Sequence, residues 1–248
     1  MTETFISSGP DSHGAGLVEH SLDPLRYDHH SDDPYEVAGM LRSLMPEHAR
    51  VLDVGCGTGS VTLVANKDKG NRVFAIEPDA DRSGIARSRG VEVFQGFLDR
   101  EFISQRGPFD VVMFADVLEH LAAPDEMLQL AMTALEKDGL VLASVPNVAH
   151  WSVRLKLLFG RFNYAETGIC DATHLRWFTQ RTIRDLFNNT GFEITSRGYT
   201  CGFSLPVYRS RFFKLIPRPI LRKVLRSMTL FFPRLFACQF VVQARKRN

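Results

Sequence analysis

The sequence predicts an α/β protein built on a doubly wound sheet. Short, branched, apolar segments recur along the chain, and segments of helical period lie between them. The stretch VLDVGCGTGS (51–60) joins the first apolar segment to a helix through three alternate glycines. Strands apolar on both sides belong in a parallel sheet covered on both faces, with ligands at the carboxyl ends of the strands. With 248 residues, 44% of them hydrophobic, the chain can bury one such core.

The elements follow in order. Residues 1–33 are rich in Ser, Gly, Asp and His and lack periodicity, which predicts a mobile arm that becomes ordered near Tyr27 when a ligand binds. Its histidines His13, His20, His29 and His30 have no metal-ligand spacing and read as loop residues. Val37, Met40, Leu41, Leu44 and Met45 form one apolar helix face, ended by Pro46. Strands are predicted at 50–54, 72–76, 91–94, 109–115 and 140–145, with helices near 59–66, 79–88, 98–105 and 124–136. Pro124, Asp125 and Glu126 suit a helix start, and Gly139 its stop. Thr179 caps a helix to Asn189. Strands at 192–200 and 239–244 complete the chain.

The glycine loop has the spacing G-x-G-x-G (Gly55, Gly57, Gly59), not the dinucleotide G-x-G-x-x-G, and no Gly-Lys-Ser/Thr follows it. Asp53 stands two residues before the first glycine. An acid there repels a pyrophosphate and attracts a cationic amine. Glu77 ends the next strand in VFAIEPDAD (73–81), where it can accept hydrogen bonds from both hydroxyls of a ribose. A ligand with an ammonium and a ribose is S-adenosylmethionine, which becomes S-adenosylhomocysteine on methyl transfer. Nicotinamide dinucleotides are disfavoured.

With these two stretches, FDVVMFADVLEHLAAP (109–124) and GLVLASVPN (139–147) resemble the successive motifs of class I S-adenosylmethionine-dependent methyltransferases, from about Val37 to Thr200. The resemblance implies a Rossmann-like doubly wound seven-stranded sheet, mostly parallel with an antiparallel last strand. It places Asp53, Gly55, Cys56, Gly57 and Gly59 around the methionine moiety and Glu77 with Pro78 at the ribose. Gly96 and Phe97 fall at the adenine, where the usual acid is missing from FQGFLD (94–99) and Asp99 comes late. Ala115, Asp116 and His120 fall near the sulfur. The stretch 144–179 is similar to a bacterial subgroup near the ubiquinone O-methyltransferases and MetW-like proteins, many of which occur in surface-glycan biosynthesis. In that subgroup the segment after the fifth strand, here 146–180, builds the acceptor pocket.

The place after the fourth strand reads ADVLEH (115–120) rather than Asn/Asp-Pro-Pro-Tyr/Phe, which disfavours methylation of a nucleic-acid base. A hydroxyl acceptor calls for a base, and histidine titrates near neutral pH. The candidates are His174, with Asp171 to orient it, and His150; each could equally brace a loop. Glu119 and His120 with His150 or His174 could gather a divalent ion, but no tight ligand spacing supports one and no metal is assigned. Trp151 and Trp177 read as pocket walls or core.

Twelve Lys/Arg and no acid follow Glu193, so the first 193 residues carry −10 against a total of +2. Within 205–236, a helix over 219–228 gathers Ile220, Leu221, Val224, Leu225 and Met228 on one face and Arg222, Lys223 and Arg226 on the other. Such a helix suits an anionic membrane surface, or packs on the domain or on a second subunit of a homodimer. No nucleic-acid module accompanies the charge. No transmembrane span or signal peptide is read. Four scattered cysteines fit reduced thiols, so the expected location is cytoplasmic, extending to the inner face of the membrane.

The sequence thus points to a methyltransferase domain over 34–248. The first function expected is O-methylation of a sugar hydroxyl in a cell-surface glycan or its lipid-linked precursor. The alternatives are a phenolic or quinone-type small-molecule acceptor, and a non-catalytic cofactor-binding scaffold.

Overall fold

A computed structural model describes residues 23, 25, 27, 28 and 31–247. The rest of the 1–33 arm, including His13, His20, His29 and His30, lies outside the described residues. Helix α1 (Val37–Leu44) enters the domain, and Met45 is already extended ahead of Pro46. Strand β1 (Arg50–Val54), helix α2 (Ser60–Ala65), β2 (Arg72–Glu77), α3 (Ala80–Ser88), β3 (Glu92–Gln95), α4 (Arg100–Arg106) and β4 (Phe109–Ala115) follow in alternation. Next come α5 (Pro124–Ala134), β5 (Leu135–Pro146), α6 (Trp151–Leu158), α7 (Gln180–Asn189) and β6 (Phe192–Tyr199). Three helices, α8 (Arg211–Lys214), α9 (Arg218–Phe231) and α10 (Pro233–Phe236), separate β6 from the last strand, β7 (Gln239–Lys246).

The seven strands form one sheet in the order β3-β2-β1-β4-β5-β7-β6. β1 to β5 are parallel; β7 runs antiparallel between β5 and β6. The order reverses between β1 and β4, which opens a crevice at their carboxyl ends. Period-two alternation in β4 feeds both cores: Val112 and Phe114 join Phe109, Leu128, Phe187 and Phe240 on one face, while Val111 and Met113 join Leu41, Val51 and Leu142 on the other. Capping fixes the helix starts. Asp79 accepts from Arg82 N, Asp99 from Phe102 N, and Thr179 forms a reciprocal box with Thr182. The late acid Asp99 is therefore a helix cap.

Two expectations are corrected. Gly139 does not stop α5, which ends at Ala134; it lies inside β5. Between the pairs Phe109↔Leu135 and Val111↔Leu140 the register shifts, so 136–139 bulge out of the ladder. A Cβ on Gly139 would sit 2.9 Å from Leu135 Cδ2 and 3.1 Å from the Glu136 carbonyl oxygen, so the bulge returns close upon itself there. The polarity assigned to the basic helix also changes. α9 buries Leu221 and Leu225 against Tyr208, Trp151 and Phe203. Ile220 and Val224 of the expected apolar face are exposed, while Arg222 and Arg226 stay partly exposed but gain a counter-charge: they pair with Asp33 at 3.2 and 3.6 Å and lie over Phe203 and Tyr35. No helix among the described residues is long and apolar enough to cross a membrane.

Candidate functional site

At the end of β1 the chain turns through the glycine loop. Gly55 and Cys56 donate their N–H groups to the Ile76 carbonyl, which ties the loop to β2. The three glycines serve different needs. All have positive φ, but a Cβ on Gly55 would meet Val117 at 2.8 Å and one on Gly59 would meet Val91 at 3.0 Å, whereas above Gly57 there is open space. Gly57 thus leaves its backbone open to close approach. Glu77 braces that point: Gly57 N donates to Oε2 at 2.8 Å and Asp79 N to Oε1 at 3.0 Å. Each carboxylate oxygen keeps a second acceptor site, which suits the ribose role expected for it. Pro78 is exposed, Cys56 is buried, and burial pushes the Cys56 thiol far up, so it remains a neutral packing group. Gly96 donates to the Glu77 carbonyl at 3.2 Å and leaves the adjoining Phe97 72% exposed.

Asp53 is 1% exposed. Thr62 Oγ1 donates to its Oδ2 at 2.5 Å, while Oδ1 is buried and has no hydrogen-bond partner among the described residues. Burial raises its carboxyl to about 7; Thr62 opposes the shift and the Glu77 charge adds to it. A buried acceptor without a partner is costly, and a cationic donor offsets that cost.

The end of β4 carries the second half of the site. Ala115 ends the strand, and Asp116 has φ +55°, a conformation rare for a non-glycine residue and typical of functional turns. Asp116 N donates to Ser144 Oγ, and the Asp116 carboxylate accepts from Ser144 Oγ and Gln239 Nε2. The turn that follows buries Glu119, whose two carboxylate oxygens have no hydrogen-bond partner among the described residues. Burial, with Asp116 and Asp171 nearby, pushes its carboxyl well above the usual range. The rings of His120 and His174 meet edge-on with centroids 4.9 Å apart. Nδ1 of His120 faces the Thr173 carbonyl and that of His174 the Ile169 carbonyl, each at 3.2 Å. A carbonyl can only accept, so the Ile169 contact assigns the Nδ1–H tautomer to His174 and puts its lone pair on Nε2, whereas His120 Nδ1 also lies 3.2 Å from Thr173 Oγ1. Ligand atoms of Glu119, His120 and His174 lie within 4.8 Å of one another. Sequence spacing gave no such trio because 54 residues separate His120 from His174 and only the fold brings them together.

The other expected groups take different places. Asp171 does not orient the His174 ring; its carboxylate accepts from Thr173 N, Thr173 Oγ1 and the Tyr27 hydroxyl at 2.6–2.8 Å. His150 is fully buried at the start of α6. Its Nδ1 meets Ser152 Oγ at 2.8 Å, its Nε2 meets Tyr208 Oη at 3.2 Å, and burial lowers it to about 4. With both nitrogens engaged, His150 has the geometry of a brace. Trp151 Nε1 donates to the same tyrosine, so Trp151 is core, whereas Trp177 forms a wall with Phe162 and Tyr164 and its buried Nε1 has no partner among the described residues.

Two arm residues reach both halves of the site. Asp28 accepts from Thr58 Oγ1 at 2.6 Å and pairs in bidentate fashion with Arg89 at 2.5 and 2.8 Å; Tyr27 Oη accepts from Gly168 N while donating to Asp171. Asp28, Thr58 and Arg89 were not singled out by sequence reading, because an Asp in a polar segment and an Arg near a helix end carry no pattern of their own.

A family model described as a methyltransferase domain matches residues 27–197. The chain belongs to this methyltransferase family. Its sheet order and loop are those of class I S-adenosylmethionine-dependent enzymes. A ubiquinone biosynthesis O-methyltransferase of Xylella fastidiosa is 28% identical over 151 residues, 58% of this chain and 56% of that protein. The chain thus spans little more than half the length of such curated relatives. A crystal structure of a SAM-dependent methyltransferase from Archaeoglobus fulgidus aligns with TM-score 0.59 and 19% identity over 90% of this chain and 97% of that one. The 1,6-didemethyltoxoflavin-N1-methyltransferase of Burkholderia thailandensis, with bound S-adenosylhomocysteine, aligns with TM-score 0.51 and 18% identity over 88% and 78%. These two show the shared fold.

The residues of this methyltransferase fit its cofactor. The partnerless Asp53 Oδ1 matches an ammonium, the open space above Gly57 admits the amino-acid end, and Glu77 retains acceptor sites for a ribose. The raised Asp53 carboxyl makes this fit dependent on pH. In the ligand-free protein an acid raised to about 7 favours the protonated fold, so its contribution to stability is full at low pH and lost as pH rises through 7. The charge that attracts an ammonium grows in as pH rises through about 7. The increase in Tm on adding S-adenosylhomocysteine should therefore be larger at pH 8 than at pH 6, and Asp53→Asn should abolish the difference. Equal shifts at both pH values in the unmodified protein would contradict this account of Asp53.

Proposed function

We propose that this methyltransferase transfers the methyl group of S-adenosylmethionine to a hydroxyl oxygen of a phenolic or quinone-type small molecule. His174 carries the reading: its ring is 5% exposed, its Nδ1 proton is committed to the Ile169 carbonyl, and its Nε2 holds the lone pair. Burial and the neighbouring His120 lower its basicity, so it is neutral and able to accept a proton at pH 7. A phenol ionises near 10, within reach of a neutral imidazole, whereas a sugar hydroxyl is a far weaker acid. This favours a phenol over the sugar first expected. The wall of Phe162, Tyr164 and Trp177, with its buried indole N–H, suits a planar ring that carries an oxygen acceptor, and relatives 28% identical are named ubiquinone biosynthesis O-methyltransferases.

When bound, the cofactor supplies an electrophilic methyl group on a sulfonium sulfur. The chain's own residues do the rest. Asp53 holds the ammonium, Glu77 fixes the loop and meets the ribose, and His174 Nε2 removes the acceptor proton. Positioning in line with the methyl group supplies much of the rate. Glu119, His120 and His174 support a second reading, in which a divalent cation lies among them. Pinned Nδ1 atoms and a buried, partnerless carboxylate are the outer and inner shells such an ion requires. The ion would then lower the hydroxyl's pKa in place of proton removal by the imidazole.

His174→Ala should lower the turnover of a catechol-type acceptor by about 10²-fold or more while S-adenosylhomocysteine affinity stays within about twofold. Unchanged turnover would return His174 to bracing. Activity that survives chelator treatment selects the base; activity lost and then restored by added Zn²⁺ or Mg²⁺ selects the ion. Methylation of sugar hydroxyls but of no phenol would overturn the acceptor class.

The segment 205–236 is proposed to touch an anionic membrane surface. Phe212, Leu215, Ile220, Val224, Phe231 and Phe232 are 49–84% exposed, and Arg209, Arg211, Lys214 and Lys223 are exposed among them. Phe212→Ser with Leu215→Ser should weaken co-sedimentation with anionic vesicles. Equal binding of the variant and the unmodified protein, or no binding by either, would contradict a membrane role.

A further inference from the structure

A second concave surface lies apart from the glycine loop and the β4 turn. It is a cleft of about 470 Å³ lined by residues of α6, α7, β6 and α10, with Ala149 and Thr179 at its edge. Five exposed guanidinium groups line it: Arg154, Arg181, Arg184, Arg197 and Arg234. They come from four separate elements, so no single helix face or sequence run accounts for their meeting.

Their partners leave most of this charge uncompensated. Arg181 and Arg184 share Asp185 at 3.5 and 3.2 Å. Arg154 Nε donates to the Ala149 carbonyl at 2.6 Å and Arg234 Nε to Gln180 Oε1 at 3.1 Å. Both contacts orient a guanidinium by one edge without neutralising it. Asp185 is the one carboxylate ion-paired with any of the five among the described residues, and Arg197 has no ion pair there. Five cations against one anion leave +4 around a single cavity. The amino-terminal end of the ten-residue α7, with its partial positive charge, adds to that field.

We propose that this cleft binds a pyrophosphoryl group. Guanidinium forks pair with phosphoryl oxygens two at a time, and a group with several oxygens and about three negative charges can engage several of these arginines at once. A single carboxylate would satisfy one fork and leave the others unpaired. The cleft residues have no part in holding the cofactor or in taking the acceptor proton, so the inference stands independently of the proposed reaction. The group could be carried by a soluble nucleotide or by a phosphorylated lipid; both present the same chemistry.

The test is calorimetric titration of the full chain at low ionic strength, with chelator present so that no metal bridges the anion. Inorganic pyrophosphate should bind at one site, at least about tenfold more tightly than orthophosphate or citrate. Arg197→Gln and Arg234→Gln should each weaken it by about fivefold or more, with unchanged circular dichroism, while Asp53→Asn leaves it unaltered. No saturable binding up to about 1 mM, equal binding of citrate, or binding indifferent to both arginine variants would overturn the proposal. In further arms, a nucleoside diphosphate and vesicles bearing a diphosphorylated lipid are compared. The carrier whose binding is lost in Arg197→Gln is the one the cleft takes.

Discussion

A carboxylate buried where β1 meets the crevice sets the terms for the rest of the molecule. Asp53 keeps one oxygen on Thr62 and leaves the other without a partner among the described residues, in a place where burial, opposed by Thr62 and aided by the Glu77 charge, raises its carboxyl to about 7. That arrangement is unfavourable in isolation and becomes favourable when a cation meets Oδ1. The sheet exists to hold it there. Reversal of strand order beside β1 opens the crevice, the parallel register of β1 with β2 brings Glu77 under the glycine loop, and Val117 and Val91 close against Gly55 and Gly59 so that Gly57 alone is left uncovered.

The opposite wall obeys the same logic with different chemistry. Asp116 adopts a strained turn held by Ser144 and Gln239, and the chain then buries Glu119 and aims His120 toward His174. A buried acid with two partnerless oxygens beside two imidazoles pinned by carbonyls is poised to handle a proton or a cation. Tyr27 and Asp28 reach both walls, one hydrogen-bonded to Asp171 and the other to Thr58 and Arg89.

Much of this was legible in the sequence, for physical reasons. Period-two and period-3.6 patterns mark β4 and α1 because their faces are buried differently, and Asp79, Asp99 and Thr179 announce their helices because unpaired N–H groups need acceptors. The glycine spacing and the acids at 53 and 77 identified the cofactor, since local geometry and charge decide that site. What escaped depends on long-range placement. The Ile169 carbonyl took the place expected for Asp171 because a backbone acceptor leaves no mark in a side-chain pattern. His150 in NVAHW is indistinguishable from a base until Tyr208 and Ser152 are seen on its two nitrogens. The counter-charge for Arg222 on α9 comes from Asp33, almost two hundred residues away, which no local pattern announces.

The measurement that bears most directly on the account is calorimetric titration of the purified chain with S-adenosylmethionine, S-adenosylhomocysteine and NAD in parallel, repeated with Asp53→Asn. Binding of the first two but not the third, weakened in the variant, is the predicted result. Binding of NAD, or S-adenosyl ligands held equally well without the Asp53 charge, would contradict the claim that this buried carboxylate selects the cofactor.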